Sequence, residues 1–159
     1  MYSGDIHRSG LVAAGTVFRS LLIWNSETGQ LLRRLLGHTG VIFDVCFISE
    51  TDQELVASVS DDRTVRVWKG DKQLATMYGH TARVWKVRPL ESDEGIRLVS
   101  SSEDATVRLW QLSFECEWQE QACLNFHIGK NVRAISVYQE LIASGGEDSA
   151  IYLTNSRSL

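Results

Sequence analysis

Histidine, serine and aspartate recur together in this 159-residue chain, and they are the side chains from which a hydrolase builds a nucleophile. His38 precedes Asp62 by 24 residues, and His80 precedes Asp104 by the same 24. Ser58, Ser100 and Ser144 each lie four residues before an aspartate, the last being Asp148, and His127 stands ahead of that pair. Asp62 and Asp104 each precede a tryptophan, Trp68 or Trp110, by six. Taken once, such a set could activate a serine. Taken three times in phase it argues for structure, because a nucleophile needs one strained, exposed place rather than three equivalent ones. The other chemistry open to these groups is a hydrogen-bond relay. An aspartate in a tight turn accepts from the histidine, the histidine is held in one tautomer and bonds the serine, and the serine reaches the indole N–H. Replacing Asp62 would then leave His38 poorly paired, at about 1–3 kcal/mol. No residue is assigned a catalytic role, and neither a Gly-rich phosphate loop nor an H-E-x-x-H occurs.

The elements that must position these groups are repeated too. Leu11–Trp24, Leu55–Trp68, Arg97–Trp110 and Leu141–Thr154 align without gaps, and their last residues lie 44, 42 and 44 apart. Each runs from a short apolar stretch through a turn of small and acidic residues into a second, alternating stretch. After His38, His80 and His127 come VIFDVCF, VWKVRPL and VRAISVY. Alternation of period two marks half-buried strands, and the turn residues between them mark hairpins. The stretch QLLRRLLGH has leucines at helical spacing. Its place between a strand ending at Trp24 and the pair Gly37-His38 assigns it to an outer strand instead.

A period of 42–44 with Gly-His pairs (Gly37-His38, Gly79-His80), acidic turns and tryptophans in phase resembles the WD-repeat family, whose unit is a four-stranded propeller blade. The resemblance implies an all-β propeller of about three and a half blades, part of a larger one. Its divisions fall at 1–36 (incomplete), 37–78, 79–126 and 127–159 (incomplete). Departures gather at the two ends. Val17 and Phe18 replace the acidic pair in the first unit. In the last, Thr154 replaces tryptophan and Phe126 precedes the histidine. The aspartate of the WD pair is missing throughout, with Asn25, Lys69, Gln111 and Asn155 in its place.

Candidate partner contacts follow from what stands just after each histidine. Phe43 and Trp85 occupy a place that is ordinarily small and polar in the family, Arg133 follows near the same place, and Arg83, Lys86 and Lys130 surround them. Aromatic and arginine side chains together suit stacking on bases or anchoring a protein, while Phe43 and Trp85 could equally serve to pack blades together. Residues 113–121, with Glu115, Glu117, Trp118 and Glu120, read as an acidic insertion: a docking loop or a solvated hairpin tip.

The net charge of −4 gives no bulk case for nucleic acid, although 12 of the 16 basic residues are arginine. Three cysteines at irregular spacing (Cys46, Cys116, Cys123) suggest neither a disulfide framework nor zinc, with Cys46 a small core residue. No apolar run is long enough for a membrane span, so a cytoplasmic setting is expected, with no membrane, metal or cofactor.

The phrases LVAAGTVF, GHTGVIFDVCF, GHTARVWKV, SEDATVRLWQL and HIGKNVRAISV, with GGEDSAI after the last, resemble one branch of the family. That branch is the N-terminal propeller of the large WD-repeat subunit that partners an FtsJ-type tRNA ribose 2′-O-methyltransferase. The resemblance implies a non-catalytic scaffold that positions tRNA for methylation at the wobble nucleotide, with the methyltransferase and tRNA as partners. The alternative is a general protein scaffold, such as a ubiquitin-ligase substrate receptor or an endosomal trafficking adaptor.

Overall fold

Among the described residues the alternating stretches form antiparallel strands in four sheets, each running in chain order. The computed structural model describes residues 3–48, 54–90, 95–112 and 117–159. The first sheet holds β1 (Gly4–Ile6), β2 (Leu11–Gly15), β3 (Ser20–Asn25) and β4 (Leu31–Leu36). The second holds β5 (Ile42–Phe47), β6 (Leu55–Ser60), β7 (Val65–Lys69) and β8 (Lys72–Met77). The third holds β9 (Val84–Leu90), β10 (Arg97–Ser102), β11 (Val107–Leu112) and β12 (Trp118–Leu124). The fourth holds three strands, β13 (Val132–Tyr138), β14 (Leu141–Gly146) and β15 (Ile151–Asn155), before a short 3₁₀ turn at Ser156–Ser158. The first sheet thus carries four strands, not the incomplete set expected for 1–36. Gly4–Ile6 pairs with Ile6↔Val12 through Gly4↔Ala14, and at three residues it is too short to display alternation.

The leucine-rich segment 31–36 is a strand, as its place in the repeat demanded. Only Leu35 is buried there, and Leu31, Leu32 and Leu36 lie exposed on the outer edge. Helical spacing over six residues gains nothing when the chain on either side is extended and a sheet edge offers backbone partners.

The sheets pack face to face around a common inner side, where β1 touches β5, β5 touches β9 and β9 touches β13. Three apolar cores fill the gaps. Leu11, Ala13, Leu21, Ile23 and Leu35 meet Ile42, Val45, Phe47, Val56 and Trp68 between the first two sheets. Val59, Val65, Val67 and Met77 meet Val84, Val87, Leu98 and Trp110 in the next gap, and Leu90, Val99, Val107 and Leu109 meet Val132, Ile135 and Ile142 in the last. The strands β6 and β10 are therefore buried at every residue. Their small side chains Ala57, Ser58, Ser100 and Ser101 let sheets close in on both faces. Cys46 lies in one of these cores, and burial pushes its thiol well above the ordinary range; Cys123 is exposed on β12, and both are free thiols. Cys116 lies outside the described residues.

Residues 118–121 of the acidic insertion lie in β12. Trp118 lies in β12 opposite Leu112 and packs, partly buried, against the core between the second and third sheets. Glu120 pairs with Arg108 on the neighbouring strand. Glu115 lies outside the described residues, and Glu117 is exposed. Trp118 thus stands in a strand, packed on the core, rather than exposed in a loop. No helix among the described residues is long and apolar enough to cross a membrane.

Candidate functional site

In the second and third sheets the repeated polar residues meet. His38 Nδ1 lies 2.8 Å from Asp62 Oδ2, and His38 Nε2 lies 2.8 Å from Ser58 Oγ. The Trp68 indole N–H donates to the same Ser58 oxygen at 2.8 Å. His80, Asp104, Ser100 and Trp110 repeat the arrangement at 2.9, 2.8 and 2.8 Å. The donor directions are forced. A carboxylate can only accept, so Nδ1 carries the imidazole proton; Nε2 must then accept, and the serine hydroxyl donates to it while accepting from the indole. Each aspartate also caps its turn. Asp62 accepts from the Thr39 and Thr64 backbone N–H groups and from the Thr64 hydroxyl, and Asp104 from those of Thr81 and Thr106. The turn needs a left-handed residue right after the aspartate, and Arg63, Ala105 and Ser149 supply it at φ 68, 70 and 62°.

Burial lowers the His38 and His80 pKa below their ordinary value, and the aspartate hydrogen bonds only partly oppose it. For Asp62 and Asp104 burial acts to raise the pKa, but the hydrogen bonds from histidine and threonine outweigh it and hold both well below the carboxylate range. The pairs are thus neutral imidazole on ionised carboxylate. With its proton committed to histidine and the assembly buried, each serine has no free path to a substrate. Among the described residues no group of three or more His, Cys, Asp and Glu is placed to hold a metal.

A second constellation lies at the same end of the sheets, where the turns after β6, β10 and β14 bond back to the chain before each inner strand. Asp61 N–H donates to Val41 O, Glu103 N–H to Arg83 O and Glu147 N–H to Asn131 O. Here each inner strand carries a β-bulge. Ile42 pairs with Ser60 and Asp44 with Val59, so Phe43 stands at the register shift between them. Trp85 is skipped between Val84 and Lys86, and Arg133 between Val132 and Ala134. A bulge frees one side chain from the pleat and re-aims it. These three turn toward one another across successive sheets. The rings of Phe43 and Trp85 lie 4.5 Å apart, and the Arg133 guanidinium sits 4.1 Å over the Trp85 ring. Arg133 occupies the same structural place as Phe43 and Trp85 although it lies one residue further from its histidine.

Of the other three sequence candidates, Arg83 is half exposed and bonds Asp61 at 2.6 Å, with Glu103 at 3.6 Å. Lys86 turns inward to Asp44 at 3.6 Å. Lys130 is exposed in the turn before β13 and is not drawn into the stack.

The family model described as "WD domain, G-beta repeat" matches residues 29–69 and 71–111, slightly more than half of the chain. The chain is a WD-repeat protein. It is 33% identical over 94% of its length to the "tRNA (34-2′-O)-methyltransferase regulator WDR6" of Homo sapiens, and 34% identical over the same share to that of Mus musculus. The chain spans 14% of the length of those relatives. It is also 35% identical, over 42% of its length, to "WD repeat-containing protein 26 homolog" of Arabidopsis thaliana, where it covers 11% of that protein.

Within this WD-repeat chain the outer units depart from the relay as the sequence suggested. In the fourth sheet His127 still bonds Asp148 (2.9 Å) and Ser144 (2.9 Å), but Thr154 offers no indole donor. Tyr152 packs edge-on against His127 and stacks on Phe126. In the first sheet Ala14 and Phe18 stand where serine and aspartate stand elsewhere. That turn is held by Thr16 Oγ donating to Ser20 O, and Phe18 is 76% exposed.

Sequence reasoning missed the carboxylates of the inner strands. Asp44 is fully buried, bonded by Ser3, by the Val87 N–H (3.1 Å) and by Arg88 (2.6 Å). Asp5 accepts from the Phe47 N–H of the next sheet at 2.8 Å. The available signal was an acid inside an apolar strand, where aspartate is disfavoured. Arg97, also buried, clamps Glu140 of the fourth sheet through two hydrogen bonds of 3.1 and 3.2 Å.

Proposed function

We propose that this chain is a scaffold segment of a tRNA-modifying complex, without catalysis of its own, supporting ribose 2′-O-methylation of the wobble nucleotide by an FtsJ-type partner methyltransferase. The observation that carries this reading is the likeness to named methyltransferase regulators along 94% of the chain, far beyond the repeat signature. The geometry is compatible with it. Serine and histidine, the groups that look reactive, are buried in relays that repeat from sheet to sheet, while aromatic and arginine side chains are presented at one end of the sheets. A rigid propeller can raise a partner's rate by holding two reactants in register, an effect worth several kcal/mol. Depletion of the full-length protein is expected to remove 2′-O-methylation at nucleotide 34, read by mass spectrometry of digested tRNA, and unchanged methylation would sink the reading. A general protein scaffold is the second reading, supported by the acid-paired arginines Arg83, on Asp61, and Arg133, on Glu147. Purification of the full-length protein separates the two: a methyltransferase with tRNA supports the first, and ubiquitin-ligase or coat subunits the second.

A further inference from the structure

We infer that the bulge-built stack Phe43–Trp85–Arg133 receives a segment of the protein partner and not the tRNA. The inference rests on the scaffold reading above and assigns this surface its class of ligand. A phosphate-binding face needs cations free to give their charge to the ligand. At the stack itself carboxylates have already taken those charges. Arg133 bonds Glu147 through both Nε and Nη2 at 2.9 Å, and Arg83 bonds Asp61 and faces Glu103. Lys86 and Arg88 both point to Asp44. The Arg133 hydrogen bond comes first among the influences that hold the Glu147 carboxyl below its ordinary range, so that acid stays ionised. A polyanion settling on the stack would have to displace those carboxylates one by one.

The same surface suits a protein. Phe43 and Trp85 are half-buried, with their rings 4.5 Å apart and tilted by 42°, so together they form one apolar shelf. The shelf continues toward the first sheet. Ile42 N–H donates to Thr16 O, which brings the turn bearing Val17 and Phe18, both exposed, beside it. Acids and bases alternate along its rim as Asp61, Arg83, Glu103, then Arg133 and Glu147. Aromatic anchors within a rim of both signs are the composition of protein interfaces. The expected occupant is a segment of the methyltransferase that places an apolar side chain on the shelf and carries charges of both signs beside it.

The test uses full-length protein, wild type and the variants Trp85→Ala, Arg133→Ala and Phe18→Ala. Phe18 and Arg133 are exposed enough that their variants keep the fold where Trp85→Ala loosens the sheets. Two affinities are measured separately: for the purified ribose 2′-O-methyltransferase, and for total tRNA at several salt concentrations. The expected result is a loss of ten-fold or more in methyltransferase affinity for at least Arg133→Ala or Phe18→Ala. The tRNA affinity should stay within two-fold, with an unaltered salt slope. Weakened tRNA binding in those variants, with or without loss of the methyltransferase, overturns the inference, as does retention of both ligands within two-fold. Wild-type protein that fails to bind the methyltransferase at all overturns the scaffold reading itself, and is seen before any variant is compared.

Discussion

In the second sheet Trp68 stands on Ser58 and Arg66 lies over Gly37, whereas in the fourth Thr154 and Tyr152 hold the places of Trp68 and Arg66, and Phe126 that of the glycine. The glycine and the tryptophan are coupled. A Cβ on Gly37 would come within 2.7 Å of the Arg66 guanidinium, 2.7 Å of Gln73 and 2.9 Å of the Trp68 ring. Gly79 is enclosed in the same way by Arg108, Glu120 and Trp110. Without tryptophan and arginine that space is open, and an aromatic residue fills it by stacking on Tyr152 at 5.5 Å. The Gly-His pair is therefore one half of a packing unit, and its loss in the fourth sheet follows from the loss of the other half.

The largest separation between the two sheets should come from the tryptophan position. Trp68→Ala removes a buried ring and its hydrogen bond and should cost about 3–5 kcal/mol, whereas Thr154→Ala should cost under about 1 kcal/mol. Urea unfolding followed by circular dichroism measures both, and equal costs would break the comparison. Next comes the glycine. Gly37→Phe forces Arg66, Gln73 and Trp68 aside and should destabilise by about 1–3 kcal/mol, while the triple change Gly37→Phe, Arg66→Tyr, Trp68→Thr should recover part of that relative to Arg66→Tyr, Trp68→Thr alone. Such recovery would show that the fourth sheet's solution can be transplanted. The aspartate follows. Asp62→Ala removes four hydrogen bonds from a nearly buried carboxylate, and about 1–3 kcal/mol is expected. The Asp148 side chain is 19% exposed against 6% for Asp62 and receives no threonine hydroxyl, because Ala150 stands there. Water can replace its bonds, so Asp148→Ala should cost less.

How much of this was legible in the sequence depends on distance along the chain. The relay was readable because its members keep fixed offsets, and fixed offsets are what a repeated hairpin geometry leaves in sequence. The first strand of the first sheet was not readable, since three residues hold no period. The bulges were not readable either. One extra residue in a strand only shifts alternation by a step, and the eye assigns Phe43 and Trp85 to one face or the other instead of to neither. The pairing that decides the ligand class, Arg83 with Asp61 and Arg133 with Glu147, joins residues 22 and 14 positions apart, with nothing periodic to betray it. Charge type was visible in the sequence; charge neutralisation needed coordinates.

The last prediction tests the protonation state on which the relay depends. His38 and His80 have pKa values below the ordinary 6.5 in the folded chain, so the folded state keeps them neutral where the unfolded state takes up protons. Their contribution to stability is therefore fully present above about pH 6.5 and is lost as pH falls toward the folded values. Each histidine should add up to about 1.4 kcal/mol of lost stability per pH unit in that window. Asp62 and Asp104 act in the same sense but only below their unfolded value of 3.8, so at pH 5–6.5 the histidines stand apart from them. Unfolding free energies measured from pH 7.5 to 5 should fall with that slope, and His38→Gln should remove one histidine's share of it. A slope of opposite sign would mean that the imidazoles are charged in the fold. The serine would then have to accept from histidine and indole together, and its own proton would have no acceptor in the relay.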